Sequence, residues 1–401
     1  MYFYKLLVNK YRFMKEKESA LYSQYIIDGT RCDATPAELL EECLEFPEGT
    51  DEDSTEFDDI IDESTEPPLS EFSFEASKTS EYLRQISDKI TPDRPFSLLY
   101  PEHFTRMQIA QALLNRLWSE GHFRLYNLRL WAQWEWNTRP LGNMASFYKS
   151  IQASADYIFE LGVKLTDYLF IEGDESCSAK FFAWLPEDDL DPEEDSNRQE
   201  GDTALFKSPF ESRHPWIGDK RKCPATAIPD PQSWIIYIPF DTCPFRLGGS
   251  LLAQTNGLNG GQEPHISDPD YFIDCYEVVR ELIEDGIIKA GCTIGDGGLA
   301  AAAEKMCKDF GLEMDITGIM SSYGESNPVN ILFSEVPGVL LQICDNDFDY
   351  LDSQLILQDV AYYPIGHPSD TLKGLIFAEK ARKGVADILS SLLSQATEGE
   401  D

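Results

Sequence analysis

The stretch Thr293-Ile-Gly-Asp-Gly-Gly-Leu299 combines residue types and spacing that could do chemistry. A strand that turns through glycines into a helix start presents backbone N–H groups and a positive dipole end, an arrangement that holds phosphate. Asp296, Gly297 and Gly298 would form that cradle. An Asp-Gly-Gly segment is more often only a turn, so the motif alone leaves both roles open. Other chemistry is thinly represented. The five histidines (His103, His122, His214, His265, His367) fall in no motif, and the nine cysteines include no Cys-x-x-Cys pair. Those cysteines suit buried free thiols in a reducing compartment better than a zinc site or a disulfide framework. The acidic run at 186–195 lacks the Gly and terminal Glu of a calcium loop and predicts a surface loop.

The elements that must position the turn follow from periodicity. Asp268 and Pro269 start a helix and Gly286 stops it, with Phe272, Cys275, Tyr276, Val279, Leu282 and Ile283 on one face. Residues 287–290 predict a short buried strand, and Leu299, Ala302, Ala303, Met306 and Phe310 a helix reaching Gly311. Upstream, 95–100 reads as a strand ending at a turn, 103–120 as a helix, 125–134 as an alternating strand, and 144–161 as a helix closed by Gly162. Residues 184–232 predict a long surface loop. Strands follow at 234–239 and 312–316. A helix or turn leads into a core strand ending at Gln342, and 371–393 predicts a terminal helix.

With 401 residues, 42% of them hydrophobic, the chain can bury a sizeable core in two domains or more. The net charge of −38 argues against nucleic acid or an anionic membrane as partner. Much of that charge sits in a tail expected to be largely disordered over 1–80, with a short helix at 36–44 and folded sequence beginning near Tyr82. No apolar run is long enough to span a bilayer, and the first residues do not resemble a secretory signal, so the expected location is the cytoplasm.

Several segments resemble the phosphoribosylformylglycinamidine synthase family and its smaller relative, aminoimidazole ribonucleotide synthetase. Residues 292–306 are similar to the family's Asp-Gly-Gly-Leu…Ala-Glu-Met segment. Residues 245–254 resemble Leu-Gly-Gly-Ser-x-Leu-Ala-Gln, and 332–338 resemble Leu-Phe-x-Glu…Gly. Ala110-Gln-Ala-Leu-Leu-Asn115, Arg129-Leu-Trp-Ala-Gln-Trp134, Phe159-Glu-Leu-Gly162 and Gly173-Asp-Glu-Ser-Cys-Ser-Ala-Lys180 match, in order and spacing, motifs of the second of the synthase's two homologous halves. The resemblance spans roughly residues 96–365. It implies an α/β (α+β) fold: a plait-like synthetase N-terminal domain (81–241, with the acidic loop 184–232), then a mixed-sheet C-terminal domain (242–394) and a polar tail (395–401).

The resemblance also implies ATP and Mg2+ as cofactors. Asp296, Gly297, Gly298, Ser176, Lys180, Gly248, Gly249 and Ser250 would hold nucleotide, and Gln111, Asn115 and Glu175 would hold metal. The chain departs from the family at these ligand positions. Gln111 replaces a metal-binding Glu, Asp174 a Lys, Gln133 an Asn, and Thr293 and Gly295 an acidic ligand and a Ser. No catalytic residue is assigned, because the first half of the large synthase, with its catalytic His, and the glutaminase have no counterpart. The sequence therefore predicts a degenerate, non-catalytic binding or assembly module. The alternative is one subunit of a split ATP-dependent synthase. Expected partners are a second copy or a homologous synthetase-like chain, and a separate glutaminase.

Overall fold

The computed structural model describes residues 19–45, 95–120, 123–173, 176–185, 223–255, 261–307, 310–370 and 374–377. It is a mixed α/β structure. Strands β1 (Ile26–Ile27) and β2 (Thr30–Arg31) form a small hairpin before helix α1 (Pro36–Glu45). The first lobe then comprises α2 (Pro101–Glu120), β3 (Arg129–Asn137), α3 (Leu141–Glu160), β4 (Lys164–Gly173) and β5 (Ser178–Trp184). Its three strands run in the order β4-β3-β5, with β3 parallel to β4 and antiparallel to β5.

The second lobe contains β6 (Ser233–Pro239), α4 (Leu251–Thr255), α5 (Pro269–Glu284), β7 (Ile288–Thr293), α6 (Gly298–Met306) and β8 (Gly311–Met314). It continues through α7 (Thr317–Ser322), α8 (Pro328–Phe333), β9 (Gly338–Cys344), α9 (Phe348–Leu357), β10 (Tyr363–Ser369) and β11 (Gly374–Phe377). Its six-stranded mixed sheet has the order β11-β8-β10-β6-β9-β7.

Strand β6 shows why the two lobes share a core. Ile236 and Ile238 join the apolar cluster that includes α2, α3 and α5, whereas Ile235 and Tyr237 face the cluster under α6 and α8. A strand covered on both faces reads as a continuous apolar run, as Trp234-Ile-Ile-Tyr-Ile does. The domain boundary expected at 241 thus falls after a strand that belongs to the second lobe's sheet. Helix α5 begins as its caps dictate: the Asp268 side chain accepts the Tyr271 amide, Pro269 opens the helix, and Gly286 beyond its end takes φ +73°.

Three expectations need correction. Residues 19–45 are folded, with Tyr25, Ala37, Leu40 and Cys43 in the same cluster as α2 and α3. The acidic side chains of α1 (Glu38, Glu41, Glu42) face solvent, so composition hid its apolar side. Residues 95–100 form no strand. Phe96 instead packs edge-on to Phe104 and Trp136, each 4.7 Å away, and the chain bends into α2. Residues 374–377 are not helical but add an edge strand parallel to β8. The rest of the expected terminal helix, the polar tail, most of the acidic tail and residues 186–222 of the expected loop lie outside the described residues.

Candidate functional site

The site is a seam where α2 crosses the second lobe. Gln111 and Trp118, seven residues apart, fall on one side of α2, and Tyr100 immediately precedes that helix. Tyr100 packs its ring 3.0 Å from the position a Cβ would take on Gly249, and its hydroxyl donates to Gly261 O at 2.9 Å. The Gln111 carboxamide lies 3.3 Å from where a Gly295 Cβ would be. Trp118 lies over Gly291, where any Cβ would meet the indole ring at 2.2 Å, and its Nε1 donates to Thr293 Oγ1 at 2.9 Å.

The glycine turn is tied down from inside. Gly297 has φ +86° and Gly298 φ +68°, left-handed conformations that favour glycine. A Cβ on Gly298 would also sit 2.5 Å from Ser334 O. The Gly297 amide donates to Glu335 Oε1 at 3.0 Å, and the Leu251 amide donates to the same oxygen at 2.9 Å. The Gly298 amide closes the turn onto Gly295 O at 2.9 Å. Glu335, 1% exposed, is therefore an internal acceptor seated between the two glycine-rich turns. Sequence reasoning matched the motif carrying Glu335 but gave that residue no role. A lone acid between Phe333 and Val336 was the available signal.

The remaining expected site residues divide into two groups. Gly248 and Ser250 stay at the seam in packing roles: the Gly248 amide donates to Gln262 O at 2.9 Å, and Ser250 Oγ accepts the Ala253 amide at 3.2 Å, capping α4. Asn115 is exposed on α2, one turn beyond Gln111, and Asp296 is half-buried at the tip of the turn. Ser176 and Lys180 are not brought to the turn. Lys180 is exposed opposite Gln133 on the outer face of the three-stranded sheet, and the buried side of β3 (Leu130, Ala132, Trp134, Trp136) is the one facing the helices. Glu175 and Asp174 lie outside the described residues.

The thiols beside the glycine turn are not activated. Burial pushes the Cys292 and Cys307 thiols up to about 12, which disfavours the reactive thiolate. Burial also raises the Asp241 carboxyl, although it accepts the amides of Cys243, Ser267 and Asp268 and so ties the start of α5 to the end of β6.

The site is thus two glycine-rich turns joined by one buried glutamate on a two-lobed α/β fold. Residues 242–367 match the model of the AIR synthase related protein, C-terminal domain. A probable phosphoribosylformylglycinamidine synthase, chloroplastic/mitochondrial, of Arabidopsis thaliana is 25% identical over 284 residues, covering 68% of this chain and 18% of the relative. A phosphoribosylformylglycinamidine synthase subunit PurL of Caldivirga maquilingensis is 33% identical over 106 residues, covering 26% of this chain and 14% of the relative. The solved T. maritima PurL complexed with FGAR shares 12% identity at a TM-score of 0.49, covering 71% of this chain and 42% of that one. Residues 242–367 thus carry an AIR synthase related C-terminal domain, and the chain is similar to phosphoribosylformylglycinamidine synthases over 68% of its length. It spans less than a fifth of the length of either of these two curated relatives.

The described residues fit a magnesium–triphosphate group poorly. No grouping of three or more His, Cys, Asp or Glu among them could hold a metal ion. Hard divalent cations are usually held by one or more carboxylates together with neutral oxygens, whereas Gln111 and Asn115 offer only neutral amides. Gln111 Nε2 is buried without a hydrogen-bond partner, and the Gly297 amide is already held by Glu335. No helix among the described residues is long and apolar enough to cross a membrane.

Proposed function

We propose that this chain is a degenerate homologue of phosphoribosylformylglycinamidine synthase that acts as a binding or assembly module and is not catalytic on its own. The reading is carried by the reuse of the ligand positions for packing. Thr293, where the family has an acid, accepts the Trp118 indole bond, and Gly295, where the family has a Ser, receives the Gln111 side chain. Cofactor roles for Asp296, Gly297, Gly298, Gly248, Gly249 and Ser250 are weakened by the same geometry, since the amides of Gly297 and Gly248 are satisfied within the chain. The proposed partner is a second copy or a homologous synthetase-like chain docked on the outer face of the three-stranded sheet.

A thermal-shift titration with ATP or ADP, with and without magnesium, tests this reading. A ligand at about a hundred times its Kd stabilises the folded state by about 2.7 kcal/mol. No shift is expected. A magnesium-dependent rise in Tm that Asp296→Ala abolishes would overturn the non-catalytic reading.

The second reading is a subunit of a split ATP-dependent synthase in purine biosynthesis. It is favoured by the Caldivirga relative, which is itself described as a subunit. Here a partner chain would complete the site, and a separate glutaminase would supply ammonia. Supplying a first-half synthetase chain and a glutaminase together with this chain to cells lacking the synthase should then restore growth without purines. Failure to restore it would discard this second reading.

A further inference from the structure

Residues 261–266 form a strap across the seam. Gly261 O accepts the Tyr100 hydroxyl, Gln262 O accepts the Gly248 amide at 2.9 Å, and Ile266 O accepts Arg106 Nη1. Arg246 Nε adds a bond to Gln262 Oε1 at 3.2 Å. The strap thus joins α2 to the first glycine-rich turn. Within it Glu263 is turned inward, with Oε2 buried and without a hydrogen-bond partner. The charged groups acting on it are Glu102 and Arg106 from α2 and Lys149 from α3. Lys149 is already engaged, 3.5 Å from Glu102, and Arg106 is drawn to Ile266 O and the Tyr157 ring. Neither cation is dedicated to Glu263.

We propose that Glu263 is a proton-operated catch: protonated, it lets the strap lie closed over the seam, and ionised, it favours the strap lifting from Gly248 and Tyr100. The physical reason is that an unpaired buried carboxylate costs far more than its neutral acid. Burial first, and then repulsion from Glu102, push the Glu263 carboxyl up to about 8. In the lifted strap the group is solvated and titrates in the ordinary carboxylate range. The closed form therefore binds the extra proton. Opening becomes easier as pH rises between the ordinary value and about 8, then levels off once both forms are ionised. The catch works whether or not the seam takes a nucleotide.

Hydrogen exchange at the Gly248 amide, corrected for its intrinsic pH dependence, reads the opening equilibrium. For the wild-type chain, opening should increase by about tenfold per pH unit from about pH 5.5 to about pH 7.5 and flatten above about 8. Glu263→Gln should give a flat profile with a closed strap throughout. A flat wild-type profile, or a slope that persists in Glu263→Gln, overturns the proposal. Should Glu263→Gln fail to fold, Glu102→Gln supplies the second arm. Removing that neighbour must move the levelling-off point below about 8, and an unmoved point overturns the proposal as well.

Discussion

Glu335 Oε1 accepts the Gly297 amide at 3.0 Å and the Leu251 amide at 2.9 Å, so one buried carboxylate joins turns that lie far apart in the chain. Replacing it with Ala strands two buried donors, each costing about 1–3 kcal/mol. Glu335→Ala should therefore lower stability by about 2–5 kcal/mol in urea unfolding. Glu335→Gln keeps an acceptor and should lose about half of that or less. Equal losses in the two variants would mean that shape, not the acceptor, is what the site needs.

Gly298 and Gly324 separate backbone conformation from crowding. Both have positive φ, +68° and +59°, yet a Cβ on Gly298 meets Ser334 O at 2.5 Å whereas one on Gly324 meets nothing within 4 Å. Gly324→Ala should cost only the left-handed penalty, about 1–2 kcal/mol. Gly298→Ala must add the displacement of the backbone after α8, so its loss should exceed that of Gly324→Ala by at least about 1–3 kcal/mol. Comparable midpoints in chemical denaturation would refute the close-approach argument.

The Trp118–Thr293 bond can be isolated by a double-mutant cycle. Trp118→Phe and Thr293→Val each remove one partner while keeping most of the packing over Gly291. The coupling energy should be about 0.5–1.5 kcal/mol, the usual net value of a neutral hydrogen bond. Gly291→Ala behaves differently, because its Cβ would enter the indole ring at 2.2 Å. Its effect should be the largest of this group and should be partly relieved by Trp118→Ala. Absence of that relief would place the strain elsewhere.

Lys289 Nζ lies 2.9 Å from Asp230 Oδ2, bringing the end of the loop before β6 onto β7. The hydrogen bond from Lys289 holds the Asp230 carboxyl below its ordinary range, and bonding to Asp230 raises Lys289 above its own despite burial. For a depressed carboxyl the stabilisation is present above its unfolded value and lost as pH falls through its folded one. For a raised lysine it is present below the unfolded value and lost as pH rises through the folded one. The pair thus stabilises the middle of the pH range and neither end. Partial exposure limits it to about 0.5–1 kcal/mol. Asp230→Asn should cost that much near neutrality and nothing in strong acid. A cost independent of pH would show that the ion pair is not its source.

The sequence displayed the long helices and the central strand plainly, since Phe104, Met107 and Leu114, or Phe272, Cys275 and Val279, recur at helical spacing, and Ile235 to Ile238 are apolar without a break. It concealed elements whose signal is short or overwritten. Ala37, Leu40 and Cys43 form a buried stripe three residues apart, but the glutamates between them made the segment look like tail. Leu375, Ile376 and Phe377 carry no period that distinguishes a strand from a helix turn. The seam was partly legible: matching motifs marked Gln111, Gly297 and Gly298, but not that Glu335 would occupy the Gly297 amide. That contact joins residues 38 positions apart. Lys180 misled for a period-two reason, since alternation places it on the sheet face away from α2.

That outer sheet face carries the last prediction. The register places Trp131 opposite Phe182 on β5 and Asp167 on β4, and Glu135 opposite Ile171. The Trp131 and Phe182 rings lie 5.5 Å apart, tilted by 45°, yet Phe182 remains 50% exposed and Ile171 39% exposed. Leu169 and Trp184 lie half-buried on the same face. Apolar side chains grouped on the open side of a sheet, beneath no helix among the described residues, are where the proposed pairing with a second copy would seat. Arg129 and Lys180 share the face with Glu135 and Asp167, so two copies related by a twofold axis could bring opposite charges together around an apolar centre. Wild-type protein should sediment with twice the monomer mass. Phe182→Lys, which disturbs little of the monomer because the ring is half exposed, should sediment as a monomer with Tm changed by only a few degrees. A monomeric wild type would discard self-pairing, and a dimeric Phe182→Lys variant would move the interface to another face.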